Sequence, residues 1–155
     1  SAQAAAGAAA FFGGGMLFGR VVAGYLMDRF FAPRVAALFF VGPLLGMALL
    51  LFEAPSAFAP LCALLLGIGA GPEVDVIAYL TSRYYGLRSF GQIYGYVYAA
   101  FKSGTGIGPF AVGLGVEATG GYGAPLIGAV AATILLCLLL LSLGRYPEWE
   151  PAASA

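Results

Sequence analysis

Five long apolar stretches follow one another along this chain, separated by short breaks that contain charges, glycine or proline. The stretches run about 4–27, 35–52, 58–84, 90–116 and 125–143. Each is close to the ~20 residues that an α-helix needs to cross the hydrocarbon core of a bilayer. The sequence therefore predicts an all-α fold, a polytopic bundle of about five membrane-spanning helices.

The composition agrees with a lipid environment. Hydrophobic residues make up 61% of the chain, charged residues only 9%, and the mean hydropathy is +0.94. A soluble domain carries ~25% charged residues. The formal net charge is zero, so no basic surface favours nucleic acid as a partner. The predicted partner on the outside of the bundle is the lipid bilayer.

Enzymatic and metal chemistry find little support in the residue types present. The chain has no histidine, which excludes metal sites built on imidazole. Cys62 and Cys137 both fall in apolar stretches, where we expect them to pack as small hydrophobic residues without forming a disulfide. The sequence therefore predicts no enzyme, no metal and no cofactor.

The charges in the breaks sort by side. Arginines occupy the breaks after the first, third and fifth stretches: Arg29, Arg34, Arg83, Arg88 and Arg145. The breaks after the second and fourth stretches contain glutamates instead, Glu53 and Glu117. Positively charged loops face the cytoplasm. We expect a protein of the plasma membrane, the inner membrane of a bacterium, with a short cytoplasmic tail over 146–155.

Four ionisable residues lie inside the stretches: Arg20, Glu73, Asp75 and Lys102. Arg20 comes eight residues before Asp28, about 12 Å deeper at a rise of ~1.5 Å per residue. The other three fall at a similar depth by the same measure. Charges near the bilayer centre face a bundle interior or a water cavity, usually pair, and mark function by default.

The segment 19–29 contains Gly24, Leu26, Asp28 and Arg29 in the pattern Gly-x-Leu-x-Asp-Arg. This pattern resembles the signature loop of the major facilitator superfamily of transporters. The resemblance implies that Gly24, Asp28 and Arg29 serve a gate. The wider spacing from Arg20 through Gly24 to Asp28 resembles the eighth helix of the monocarboxylate and oxalate/formate branch, where the arginine contacts the substrate carboxylate.

This resemblance implies a twelve-helix fold in which the chain supplies helices eight to twelve. Residues 1–145 would then be the C-terminal half of the membrane domain without its first helix, and the absent N-terminal helices of the same protein would be partners. The segment 104–113 resembles instead the Gly-x-x-x-Gly-Pro motif in the fifth helix of drug antiporters. That alternative would make the chain helices two to six.

Lys102 follows a tyrosine-rich segment, Tyr94 to Tyr98, which resembles the eleventh helix of oxalate/formate antiporters and its substrate-binding lysine. The lysine comes one position later here. Residues at i−4 and i+3 share a helix face, so Tyr98 and Thr105 lie beside Lys102 as further candidate substrate contacts. The alternative reading of Lys102 is an ion pair with Asp75 or Glu73.

Glu73 and Asp75 are two positions apart, so they point to nearly opposite faces of a helix. Pro72 removes a helix hydrogen bond beside them and predicts a break. One of the two carboxylates is expected either to carry a coupling proton or to pair with Arg20 or Lys102. Monocarboxylate carriers place a proton-coupling aspartate four residues before the arginine, where this chain has Met16.

Glycine-rich runs at 67–71 and 104–108 lie inside the stretches and predict close helix packing. Together with the resemblance, the sequence predicts a secondary active transporter of a small organic anion, most simply a carboxylate, working by alternating access with protons or a counter-anion. A major facilitator transporter for another small solute or drug is the alternative, as is a non-transporting scaffold or sensor on the same fold.

Overall fold

The computed structural model describes residues 2–52 and 55–147, and this part of the chain contains helices and no strand. A short 3-10 helix, Ser56–Phe58, precedes the third of six α-helices. The α-helices are α1 Ala2–Arg29, α2 Ala32–Leu51, α3 Ala59–Ala70, α4 Glu73–Tyr85, α5 Phe90–Thr119 and α6 Gly123–Ser142. The predicted all-α fold is confirmed.

The third apolar stretch forms two helices, as its proline predicts. Helix α3 ends at Ala70 and α4 begins at Glu73, with Gly71 and Pro72 between them. Proline has no N–H to donate. The helical hydrogen-bond pattern resumes where the Val76 N–H donates to the Pro72 carbonyl at 2.8 Å. The break therefore lies beside the two intramembrane carboxylates.

Within residues 2–52 and 55–147, four segments are long and apolar enough to cross a membrane: Ala5–Arg29, Ala32–Leu51, Ala59–Tyr85 and Gly123–Ser142. They correspond to four of the five predicted spans, and α3 and α4 count together as one. The remaining span, 90–116, forms the long helix α5 but is less apolar, since it contains Lys102 and several glycines. The structure is thus compatible with a membrane bundle of four to five spans.

Close packing between α1 and α3 depends on glycine. A Cβ at Gly19 would collide with the Ile68 backbone, and one at Gly67 would collide with the Phe12 backbone. Small residues let helix backbones approach closely in lipid. The packing role predicted for the run 67–71 is therefore confirmed. Gly104, Gly106 and Gly108 have open space around them within the described chain, so no such role is seen there.

Helix α2 forms the centre of the bundle. It packs against α1, α3, α4 and α6, while α5 packs against α4 and α6. The buried cluster contains Ala23 and Met27 of α1, Phe39 of α2, Val76 of α4 and Leu140 of α6. This arrangement leaves most of α5 and α6 exposed, as expected for helices that face lipid or further helices.

The arginine-bearing ends of the helices meet at one end of the bundle. The Ala32 N–H at the start of α2 donates to the Tyr146 hydroxyl at 2.9 Å. The Tyr146 ring also packs against Phe31 and Tyr84, with ring centroids 5.0 and 5.2 Å apart. These contacts bring the α1–α2 turn, the end of α4 and the segment after α6 together at one end of the bundle; the side of the membrane that this end faces stays a prediction. Tyr146 belongs to the predicted tail; residues 148–155 of that tail, and Glu53, lie outside the described residues.

Candidate functional site

An ion pair joins two of the intramembrane charges. The Arg20 Nε of α1 lies 2.9 Å from the Asp75 Oδ2 of α4. The two side chains are 53% and 45% exposed, so the pair lies on an open face and not inside the bundle core. One of the predicted pairings, Asp75 with Arg20, is therefore present; their depth in a membrane stays a prediction.

Further contacts fix the register of α4 on α1. The Tyr79 hydroxyl donates to the Met27 carbonyl at 2.9 Å, and the Arg83 Nη2 donates to the Tyr79 hydroxyl at 3.0 Å. Asp28 also acts electrostatically on Arg83. Arg20 contacts Asp75, and Met27, further along α1, contacts Tyr79, further along α4. The two helices therefore run in the same direction.

The three residues of the predicted gating motif lie at this end of α1. Asp28 interacts with Arg83 of α4, and the Arg29 guanidinium lies 4.5 Å from the centroid of the Tyr25 ring. Gly24 is half-buried and has open space around its Cα. Their role in gating stays a prediction.

Glu73 faces away from Asp75, as the two-residue spacing predicts. It lines a cavity of about 520 Å³ between four helices. Among the described residues its carboxylate has neither a hydrogen bond nor an ion pair. The rest of the lining is largely apolar: Phe40 of α2, Val76, Ile77, Leu80, Thr81, Tyr84 and Tyr85 of α4, Val97 and Phe101 of α5, and Leu136, Leu140 and Leu143 from α6 and its end.

Lys102 is exposed and forms no ion pair within the described chain. Its Nζ lies 5.4 Å from the centroid of the Tyr98 ring and 5.6 Å from that of Phe101. A cation over an aromatic face is attracted by the ring quadrupole. The two predicted partners, Asp75 and Glu73, are therefore not bound to Lys102 in this structure.

An aromatic row leads along α5 to Lys102. Phe90 stacks on Tyr94, and Tyr94 stacks on Tyr98, with centroids 5.4 and 5.5 Å apart. The shared face of Tyr98 and Lys102 is thus confirmed. Thr105 donates its hydroxyl hydrogen to the Phe101 carbonyl at 3.1 Å, so this hydroxyl is engaged by its own helix.

The predicted substrate residues are not gathered at one point. Arg20 belongs to α1 and Lys102 to α5, and these two helices are not among the pairs that pack closely in the described chain. Arg20 is engaged by Asp75, whereas Lys102 contacts rings of its own helix. Two cationic positions are therefore present, one neutralised and one open.

The sequence reasoning missed Tyr79 and the cavity at Glu73. Tyr79 and Arg83 are four residues apart, a spacing that places both on one helix face, and this signal could have identified their contact. No such signal exists for the cavity, because Phe40 and Leu136 reach it from distant parts of the chain.

Metal and thiol chemistry have no visible site in the part of the chain that the structure describes. No group of three histidine, cysteine or acidic side chains lies close enough to hold a metal ion. Cys62 and Cys137 are free thiols. The Cys137 Sγ lies 3.9 Å from the Ala37 carbonyl, consistent with the packing role predicted for it.

Long apolar helices, one of them broken beside charged residues, define the class of this molecule: an α-helical integral membrane protein. Comparisons with protein-family models, with curated proteins and with solved structures each found no match.

Proposed function

We propose that this chain is part of a secondary active transporter of the major facilitator type that carries a small organic anion, most simply a carboxylate. The observation that supports the proposal is Lys102, a cation in the middle of α5 with no carboxylate partner among the described residues. A charge at this depth costs ~2.5 kcal/mol or more on insertion scales. An anionic substrate would supply the missing counter-charge.

Tyr98 offsets part of the cost of placing the Lys102 charge in the membrane, because its ring lies beneath the ammonium. Cation–π attraction is worth about 0.5–2 kcal/mol, less than the insertion cost. The ammonium therefore retains a strong preference for an anion. Tyr98 would also orient the ammonium for binding, which fits the substrate contact proposed for both residues.

Arg20 would offer an anion a second cationic contact, on a helix that does not pack closely against α5 in the described chain, by exchanging partners. Arginine presents five N–H donors in a planar fork that suits a carboxylate. Asp75 engages the Nε of this fork, and the pair is about half exposed, so an anion can approach it. Substrate would displace Asp75, and the released carboxylate would then take up a coupling proton or repel the next anion.

The break at Pro72 places a discontinuity beside Asp75 and Glu73. Broken helices near the midplane are common at transport sites, and alternating access arises when one bundle rocks against another. Gly24, Asp28 and Arg29 would act at the end of α1, where Asp28 interacts with Arg83. Loss of this electrostatic interaction is the proposed gating step.

The test is uptake of radiolabelled oxalate, lactate and formate by the full-length protein in proteoliposomes. We expect Lys102→Gln to weaken uptake about tenfold or more, since a charge-assisted contact is worth ~1.5–3 kcal/mol. Lys102→Arg should recover part of it. Arg88→Gln removes an exposed cation outside the spans and is the matched control.

Intact carboxylate uptake in both Lys102→Gln and Arg20→Gln would refute the carboxylate proposal. Uptake of a neutral or cationic solute in place of carboxylates would favour a transporter for another solute or drug. A correctly folded protein that moves none of these compounds would favour the scaffold or sensor.

A further inference from the structure

The cavity beside Glu73 is separate from the proposed anion contacts. Its volume of about 520 Å³ lies within the ~300–1,000 Å³ typical of small-molecule sites. Helices α2, α4, α5 and α6 enclose it, whereas Arg20 belongs to α1 and pairs on the other face of α4. The cavity therefore needs a ligand of its own chemistry.

Among the described residues, Glu73 supplies the only carboxylate of the lining, and no lysine or arginine of this part of the chain lines the cavity. The carboxylate is half-buried and has no ionic or hydrogen-bonded partner among the described residues. An unpaired carboxylate against apolar surface is costly, and a bound cation removes that cost. The charge of the cavity thus selects a positive ligand.

The remaining lining selects an apolar body around that charge. Phe40 of α2 and Phe101 of α5 contribute aromatic rings to the lining, whereas Tyr84 and Tyr85 line it at the opposite end of α4 from Glu73, about 17 Å away at ~1.5 Å per residue. Aromatic faces attract cations, quaternary ammonium groups in particular. Leucine and valine side chains fill much of the rest. We infer that this cavity binds a hydrophobic organic monocation, a tertiary or quaternary ammonium or its phosphonium analogue, with its charge beside Glu73.

Lys102 is the nearest competitor for Glu73 along α5, since its neighbour Phe101 lines the cavity. Its ammonium, however, faces the rings of Tyr98 and Phe101 and is not part of the lining. The carboxylate is therefore available to a ligand from outside the described chain.

Equilibrium binding of tetraphenylphosphonium to the full-length protein in detergent tests this site. Tetraphenylborate has the same shape and the opposite charge, and serves as the ligand control. We expect saturable binding of the phosphonium, about one per chain, and none of the borate. Glu73→Gln should weaken phosphonium binding about tenfold or more. Glu117→Gln, the same change outside the cavity, should leave it unaltered.

A second pair of variants leaves Glu73 untouched. Val97 lines the cavity and Val112 does not, yet both lie on α5 and both are 40% exposed. Val97→Trp should fill the cavity and abolish phosphonium binding, whereas Val112→Trp should preserve it. Size-exclusion profiles and thermal unfolding of each variant establish that it is folded.

Equal binding of phosphonium and borate would overturn the inference, as would unchanged phosphonium binding in a folded Glu73→Gln or Val97→Trp variant. Anion uptake does not enter these measurements. The cation site and the proposed anion transport can therefore fail independently of one another.

Discussion

Arg20 and Asp75 join α1 to α4 through an ion pair with 2.9 Å between Nε and Oδ2. This pair neutralises one positive and one negative charge of the four inside the membrane stretches. The two charges that stay unpaired among the described residues, Lys102 and Glu73, lie on α5 and at the start of α4. They are the positions where an external ligand changes the electrostatics most.

Charge exchange across this ion pair should reveal its energy. Arg20→Asp and Asp75→Arg should each lower the free energy of unfolding, because each places two like charges together. The double exchange should recover most of the loss, with a coupling of about 0.5–3 kcal/mol. Denaturant unfolding of the protein in detergent micelles measures all four states.

The control cycle combines Arg20→Asp with Glu117→Arg. Glu117 lies near the end of α5 and forms no ion pair with Arg20. Strictly additive losses in the Arg20 and Asp75 cycle would show that the pair has no energetic coupling.

Addition of one methyl group at Gly19 should weaken the contact between α1 and α3. Gly19→Ala places a Cβ against the Ile68 backbone, and overpacking typically costs about 1–3 kcal/mol. Gly14→Ala adds the same group to the same helix, where nothing lies within 4 Å, and should be neutral or slightly stabilising. Thermal unfolding of both variants makes the comparison; equal midpoints would contradict the packing.

Loss of the Tyr146 hydroxyl should destabilise the arginine-bearing end of the bundle. Tyr146→Phe keeps the ring against Phe31 and Tyr84 but leaves the Ala32 N–H without its acceptor. The expected loss is about 1 kcal/mol in the free energy of unfolding. Tyr122→Phe, at a residue that is 68% exposed, is the matched control and should change little.

The same hydroxyl should make stability depend on alkaline pH. Burial raises the pKa of Tyr146 above the ordinary value of 10.0, against the opposing effect of the Ala32 N–H. The folded state therefore holds this proton more tightly than the unfolded chain. Its contribution is complete below pH 10 and is lost as the pH rises through the folded-state pKa. Between pH 8 and 11, the free energy of unfolding should fall less steeply with pH in Tyr146→Phe than in the wild-type protein. Identical slopes for the two proteins would exclude the effect.

The orientation in the membrane is testable by cysteine labelling. In a background with Cys62→Ala and Cys137→Ala, we expect Arg145→Cys to react with an impermeant maleimide only from the cytoplasmic side. Tyr122→Cys, in the turn between α5 and α6, should react only from the opposite side. Labelling of intact cells and of inverted vesicles distinguishes the two; the reversed pattern would refute the predicted orientation.

The helices of this chain were predictable because apolar length is a local property. The predicted span 58–84 and its break at Pro72 correspond to α3 and α4, since a proline lacks an N–H wherever it occurs in a helix. The depth of a residue along a helix is also a local property. The similar depth predicted for Arg20 and Asp75 therefore followed from the rise per residue. Which of several possible partners each charge takes was left open.

Partner choice depended on side-chain direction and on helix neighbours. Asp75 points to α1 and Glu73 to a cavity with α2, α5 and α6, although both residues were equally good candidates along the chain. Tyr146 was assigned to a tail, yet it packs on the α1–α2 turn. The glycines of α3 contact α1, whereas those of α5 have open space.

Helix content, apolar length and the break at Pro72 could all be predicted from the amino-acid sequence, because hydrophobic length and backbone chemistry act within a few neighbouring residues. Helix packing places Asp75 against Arg20 and leaves Glu73 and Lys102 without an ion-pair partner in the described part of the chain. An ion pair needs two side chains within about 4 Å. Such a distance is set by how distant helices pack, not by their separation along the chain.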